Sequence, residues 1–292
     1  MGADVVVIYF VALVTLVSGA SLALLAGRIP VNPILGFRVG YAYVSKRAWV
    51  KLNRVAGACL CALGALLIPE YLLLGNAGIT VMIFGIEIVI LTLALILYGE
   101  RVAEAELISE ALPENVPSKP TPVKGYGINP LAAALVLLGV ILLAYSVTLI
   151  PKVKGEEIAS HFGFSGEPNG FMPVSQLPTL YLAPVFIGCL VLLFMFLSIK
   201  KPESFYKPWL TEREITLLVH TLQVTFAAVF LVVSVAIYDT IYYNIYEEHA
   251  ISLQIFIPAL LVMVFVPVTI LLVVSAKAYS RWIKGVRVGD VG

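Results

Sequence analysis

Seven long apolar windows restrict the fold of this sequence more than any other feature. They cover residues 4–27, 55–74, 79–98, 130–150, 178–199, 215–243 and 251–276. Each window is long enough to cross the hydrocarbon core of a bilayer, which takes about 20 helical residues. Because lipid offers backbone groups no hydrogen-bond partner, each window is predicted to be an α-helix. The predicted fold is therefore all-α: a polytopic membrane bundle of about seven transmembrane helices.

The composition excludes a soluble domain. Of the 292 residues, 60% are hydrophobic and only 13% are charged. A typical soluble domain has about a quarter of its residues charged, so this chain could not cover a water-exposed surface. The net charge of +1 gives no indication of a nucleic-acid partner.

The basic residues are distributed unevenly among the segments that connect the windows. Seventeen of the nineteen Lys and Arg residues lie in segments 28–54, 99–129, 200–214 and the C-terminal tail. The other two are Lys152 and Lys154. Loops rich in Lys and Arg stay in the cytoplasm. We therefore expect a multi-pass protein of the cytoplasmic membrane, with its N-terminus outside and its C-terminus inside.

A Pro-rich polar segment divides the chain. Residues 1–98 are predicted to form a three-helix module, and residues 129–292 a four-helix module with a glycine-rich outer loop at 151–177. Between them, residues 99–128 begin with a helical, acidic pattern and then contain four prolines, which is typical of a semi-extended linker. We expect this linker to be cytoplasmic.

The first basic segment combines cations with particular turn-forming and aromatic residues. Pro30 prevents the first helix from continuing, and Ser45 is a suitable N-cap for the next one. In that helix Arg47, Lys51 and Arg54 share one face, which suits the anionic lipids of the inner leaflet. Membrane anchoring alone is one interpretation of this segment, and binding of a ligand or partner is the other.

The same segment resembles the signature of the SdpI family of bacterial membrane immunity and signalling proteins. The matching positions are Ile29, Pro30, Asn32, Gly36, Phe37, Arg38, Trp49, Asn53 and Arg54. The later stretch 150–171 is similar to an uncharacterised companion module of that family. Its matching positions are Pro151, His161, Phe162, Gly166, Glu167, Pro168 and Gly170. The resemblance implies a non-catalytic protein that binds a toxin peptide outside and passes a signal to a cytoplasmic regulator.

The outer loop is predicted to be an ordered series of turns, because glycine, proline and asparagine follow one another from Gly163 to Gly170. Its aromatic side chains, with His161 and Glu167, favour a recognition or gating loop. Histidines and carboxylates on this side are also typical of zinc ligands, but the His-Glu-x-x-His spacing of a metalloprotease does not occur. We therefore predict no metal, no cofactor and no catalytic residues.

Polar side chains within the windows suggest a second function. Glu87 lies near mid-depth of the third window, and His220 and Gln223 lie on one stripe of the sixth. Such groups usually face the interior of a bundle. They are interpreted as an interhelical hydrogen-bonding stripe or as the site of a small-solute or ion-coupled transporter using Glu87 and His220. An intramembrane metal-dependent hydrolase is the third alternative.

Overall fold

The structure is a computed structural model that describes residues 3–32, 35–43, 45–109, 125–163 and 165–289. Seven long helices are present in these ranges. They are α1 Ala3–Leu25, α2 Lys46–Leu74, α3 Ala77–Ser109, α4 Pro130–Leu149, α5 Leu182–Lys200, α6 Glu212–Tyr246 and α7 Leu253–Gly289. Each contains a segment long and apolar enough to cross a membrane. The prediction of an all-α polytopic fold is confirmed.

The outward faces of the helices carry large apolar side chains. Leu24 is 79% exposed, Leu73 is 86% exposed and Leu137 is 61% exposed. Contiguous apolar surface of this extent is unfavourable in water and marks contact with another apolar phase. These faces are suited to lipid, as expected of a multi-pass membrane protein.

Local capping signals set several helix ends. Ser45 accepts a hydrogen bond from the Ala48 amide at 2.9 Å, so α2 begins where the sequence predicted it. Asn129 caps α4, whose first residue is Pro130. At the other end of α2, Gly75 has a φ of 63° and terminates the helix. These contacts satisfy backbone groups that the helix itself leaves unpaired.

The described residues divide into two compact units. The first contains α1, α2, α3 and the segment Lys201–Leu210, and the second contains the chain from Gly125 to Lys200 and from Thr211 onward. The predicted modules assigned Lys201–Leu210 to the second half, so the observed division differs there. Residues 99–109 of the predicted linker belong to α3, and residues 110–124 lie outside the described residues.

In the first unit, α1 and α2 pack closely through small residues. A methyl group added at Gly57 would lie 2.4 Å from the Ala23 amide nitrogen, and one at Gly19 would lie 2.7 Å from the Gly57 carbonyl oxygen. Small residues allow helix backbones to approach this closely in a membrane, where packing replaces the hydrophobic effect as the main attraction. Beside this contact, Trp49, Leu52 and Val102 form a buried cluster.

In the second unit, α4, α5 and α6 pack around Phe230. This side chain is 3% exposed and lies with Ala132, Val191 and Met195. A methyl group added at Gly139 would lie 2.6 Å from the Phe230 ring, so glycine makes room for the aromatic side chain.

The glycine-rich loop forms a β-hairpin, which the sequence analysis did not predict. Strands β1 Glu157–Phe162 and β2 Pro168–Pro173 are antiparallel, with Ala159 opposite Phe171 and an irregular register near His161. The predicted turns were correct only for the connection, where Gly166 has a φ of 90°. Glycine and proline are depleted in strands, so their abundance in β2 concealed it.

Candidate functional site

The first candidate site is built where segment 28–43 returns onto α2. Asn53 is fully buried, and its side-chain oxygen accepts a hydrogen bond from the Phe37 amide at 2.6 Å. Its amide nitrogen donates to the Trp49 carbonyl at 2.8 Å. The Trp49 indole donates to the Ile29 carbonyl at 3.1 Å. Two residues of α2 therefore hold the segment at Ile29 and at Phe37.

Gly36 is required by this arrangement. Its φ is 100°, and a methyl group there would lie 2.4 Å from the Asn53 side-chain oxygen. Asn32 closes a local turn, because its side chain donates to the Pro30 carbonyl at 2.7 Å and accepts from the Leu35 amide at 2.7 Å. The structure thus brings the predicted residues of this segment together and uses most of their polar groups internally.

Three residues of the predicted set are at least partly exposed. Arg38 and Arg54 are exposed. Phe37 is half-buried and lines an apolar cavity of about 170 Å³. The other side chains that line it include Leu22 of α1, Leu60 of α2 and Leu95 of α3. Binding by this segment would therefore involve the Arg54 guanidinium group or the Phe37 cavity.

The segment Lys201–Leu210 adds residues that sequence reasoning missed. The Trp209 ring meets the Tyr43 ring edge-on, with 5.1 Å between the ring centres. The centres of the Tyr43 and Trp49 rings are 5.7 Å apart. The Lys207 ammonium lies 4.7 Å above the Tyr43 ring and donates to the Arg38 carbonyl. Burial of Lys207, reinforced by the nearby Arg38 charge, lowers its pKa to about 7. The signal in the sequence was a short basic loop with an otherwise unexplained tryptophan.

The second candidate site is the clamp that holds the hairpin onto the end of α6. The Asn244 side chain accepts from the Ala159 amide and donates to the Ala159 carbonyl, both at 2.8 Å. The ring of Phe162 contacts Tyr243 at 4.8 Å and His249 at 5.0 Å between ring centres. The hairpin is thereby fixed in one orientation by backbone and aromatic contacts.

His249 completes the clamp. Its Nδ1 lies 2.7 Å from the Asp239 carboxylate, and its Nε2 lies 2.9 Å from the Gly166 carbonyl oxygen. Both partners only accept hydrogen bonds, so the arrangement is fully satisfied by the doubly protonated ring. Burial alone would lower the pKa of His249, but the bonds to Gly166 and Asp239 raise it above its usual range.

The other residues predicted for the outer loop have different positions. Phe162 and Gly166 belong to the clamp, as described, whereas Glu167 is exposed at the turn. His161 is also exposed and pairs with the Asn169 side chain. Asp239 and Asn244 were not foreseen, because they lie within a tyrosine-rich stretch that predicts an aromatic belt at the membrane interface.

The intramembrane polar residues are partnered differently. Gln223 is fully buried, accepts from the Asn129 amide at 2.8 Å and donates to the Ser198 hydroxyl at 2.9 Å. It therefore fastens the start of α4. In the first unit, the Glu87 carboxyl lies near that of Glu70, which was not singled out from the sequence, and one buried oxygen of each has no hydrogen-bond partner among the described residues. Nε2 of His220 is buried, and no described residue is its hydrogen-bond partner.

Among the described residues, no group of three or more His, Cys, Asp or Glu side chains is placed to hold a metal ion. The three cysteines are unpaired, and the Cys61 thiol points to the Leu16 carbonyl at 3.5 Å. Comparison with models of known protein families, with curated proteins and with solved structures found no significant match to this chain.

Proposed function

We propose that this chain is a non-catalytic membrane receptor of the immunity or signalling type. It binds a toxin peptide or similar ligand at the hairpin face, defined as residues 156–163 and 165–173 with residues 244–249. The observation that carries the proposal is the clamp by Asn244 and His249, which holds an ordered two-stranded element against the end of α6. Ordering a surface in advance lowers the entropic cost of binding.

The hairpin face is suited to a ligand outside the hydrocarbon core. A two-stranded sheet leaves unpaired backbone groups at its edges, and such edges do not occur against lipid tails. The hairpin also connects α4 to α5, each of which is long enough to cross the membrane. The excess of cations in the other connecting segments supports an external position for this face.

The exposed side chains of the hairpin face indicate the chemistry of the ligand. Five exposed carboxylates lie on it: Glu156, Glu157, Glu167, Glu247 and Glu248. Phe171 is 62% exposed beside them. An acidic surface with an apolar aromatic side chain complements a peptide that is both cationic and amphipathic. The resemblance to the SdpI family supports the same kind of ligand.

Binding of a defined probe peptide tests the proposal. The full chain in phosphatidylcholine nanodiscs is titrated into a fluorescein-labelled amphipathic peptide of Lys and Leu, with empty nanodiscs as the blank, and anisotropy is measured. The variant Glu247→Gln with Glu248→Gln should weaken binding about two- to twenty-five-fold, because two exposed charges that attract the peptide are lost. The matched variant Glu104→Gln with Glu212→Gln removes two exposed carboxylates elsewhere and should leave the affinity unchanged.

Two outcomes would contradict the receptor proposal. One is binding by the wild-type nanodiscs that does not exceed binding by empty nanodiscs. The other is equal weakening by both double variants, which would indicate a general charge effect. A Phe171→Ser variant, which leaves every carboxylate in place, should also weaken binding if the aromatic side chain enters the apolar face of the peptide.

A small-solute or ion-coupled transporter is the second candidate, and one observation favours it. Glu87 of α3 lies near Glu70 of α2 within the membrane-spanning part of the first unit, and a buried oxygen of each lacks a hydrogen-bond partner among the described residues. Two carboxyl groups in contact can hold one proton or cation between them. Under this alternative, Glu87→Gln should abolish proton-driven uptake of the solute into vesicles while leaving peptide binding intact. If the variant changes neither peptide binding nor solute uptake, the transporter alternative is wrong.

A further inference from the structure

A wide groove with a basic rim lies between the first turns of α2 and the last part of α3. Its volume is about 790 Å³. Four cationic side chains line it: Lys46, Arg47, Lys51 and Arg54. Glu106 of α3 is the one carboxylate that lines it with them among the described residues. The groove therefore has a local charge of about +3, and it attracts an anion.

The length of α2 indicates the depth of this groove in a membrane. α2 has 29 residues, whereas about 20 cross the hydrocarbon core. At 1.5 Å per residue, the helix is about 43 Å long and exceeds a core of about 30 Å. The apolar part of α2 ends at Leu74, so its first nine residues extend beyond the core. The four cations lie on these residues, at the level of lipid headgroups.

These cations are not paired with a carboxylate within the described part of the chain. None of the four forms a salt bridge or a side-chain hydrogen bond there, whereas Lys201 in the same unit pairs with Glu100 at 2.7 Å. All four are exposed, and Arg47, Lys51 and Arg54 lie on successive turns. A phosphate accepts several charge-assisted hydrogen bonds at once and would satisfy such a cluster.

The floor of the groove is apolar. Val50, Val55 and Tyr98 line it and are half-buried. A soluble phosphate would gain nothing from these side chains, whereas the glycerol and first methylene groups of a lipid would cover them. A ligand that has a phosphate at one end and acyl chains at the other matches both parts of the groove.

We propose that this groove is a binding site for an anionic phospholipid. The phosphate and headgroup lie among Lys46, Arg47, Lys51 and Arg54, and the acyl chains pass over Val50 and Val55 into the bilayer. This site is separate from the hairpin face and does not depend on the receptor function. The sequence predicted a general attraction of this basic face to anionic lipid, and the proposal assigns that attraction to one groove with a defined lining.

Lipid retention measured by native mass spectrometry tests the site. The full chain in mild detergent is equilibrated with equal amounts of phosphatidylglycerol and phosphatidylcholine that have identical acyl chains. The wild type should retain phosphatidylglycerol in preference. Each cation near the surface contributes about fivefold to binding of an acidic lipid, so Arg47→Gln with Lys51→Gln should reduce the preference roughly twenty-five-fold.

Two further variants make the test specific. Lys46→Gln with Arg54→Gln removes the other half of the rim and should cause a loss of similar size. Lys152→Gln with Lys154→Gln removes two exposed cations from the second unit and should leave the preference unchanged. The proposal is overturned if the rim variants keep the wild-type preference or if the control loses it equally.

Free glycerol 3-phosphate distinguishes a lipid from a soluble ligand. An excess of this compound should not displace phosphatidylglycerol, because it cannot cover the apolar floor. If it displaces the lipid at comparable concentration, the groove is a soluble phosphate site and the lipid proposal is wrong. Failure of these lipid experiments leaves the peptide-binding measurements on the hairpin face unaffected, since the two sets of variants share no residue.

Discussion

Replacement of Asn53 by leucine should release the segment around Phe37 from α2. The substitution keeps the branching and the number of side-chain heavy atoms but removes the acceptor for the Phe37 amide and the donor to the Trp49 carbonyl. The Trp49 carbonyl is not left unpaired, because inside a helix it keeps its hydrogen bond to a backbone amide. The Phe37 amide, in contrast, loses the partner that the structure provides.

The expected cost follows from these two bonds. A donor left unsatisfied in a partly buried position costs about 1–3 kcal/mol, and the lost second bond adds about 1 kcal/mol. The buried leucine methyl groups recover part of this, so we expect a net loss of about 2–3 kcal/mol in the free energy that keeps the segment closed. Such a loss makes local opening roughly 30- to 150-fold more frequent.

Hydrogen–deuterium exchange of the full chain in nanodiscs measures this opening. The peptide covering residues 35–43 should exchange faster in Asn53→Leu, while the peptide around Asn129, which Gln223 fastens, should not change. Lys51→Leu is the matched control, because it replaces an exposed polar side chain two residues away. If Asn53→Leu exchanges as slowly as the wild type, Asn53 does not hold this segment and the reasoning fails.

Two further outcomes are expected. Gly57→Ala should lower the free energy of unfolding in mixed detergent micelles by about 1–3 kcal/mol, because its methyl group would lie 2.4 Å from the Ala23 amide nitrogen. Gly99→Ala, where the nearest atom to the added methyl group would be 3.4 Å away, should leave the free energy of unfolding unchanged or raise it by up to about 1 kcal/mol. Equal effects of the two substitutions would refute the close packing of α1 and α2. The raised pKa of His249 means that its bonds stabilise the hairpin fully below about pH 6.5 and are lost as the pH rises through the raised value. In the wild type, where Asp239 and Glu167 face the ring, hydrogen–deuterium exchange of β1, corrected for intrinsic rates, should therefore accelerate as the pH rises. This pH dependence should disappear in His249→Gln. If it persists in the variant, His249 is not its cause.

The number and the approximate positions of the helices could be predicted from the sequence alone. Whether a segment crosses lipid depends on its own length and polarity, so seven apolar windows were sufficient. The cap at Ser45 was also readable, because an N-cap involves residues three positions apart. These features arise from neighbours in the chain, and no distant contact is needed to produce them.

The hydrogen-bond partners of the predicted site residues, in contrast, depend on how separate segments pack. Asn53 contacts Phe37 across 16 positions of sequence, and Asn244 contacts Ala159 across 85. The first contact uses the polar group of Asn53 inside the fold, and the second turns a glycine-rich loop into a clamped hairpin. Likewise, Glu87 gained Glu70 as a neighbour only when α2 packed against α3. Periodicity and composition report the environment along one segment, and the partner of a polar side chain is set by how separate segments pack.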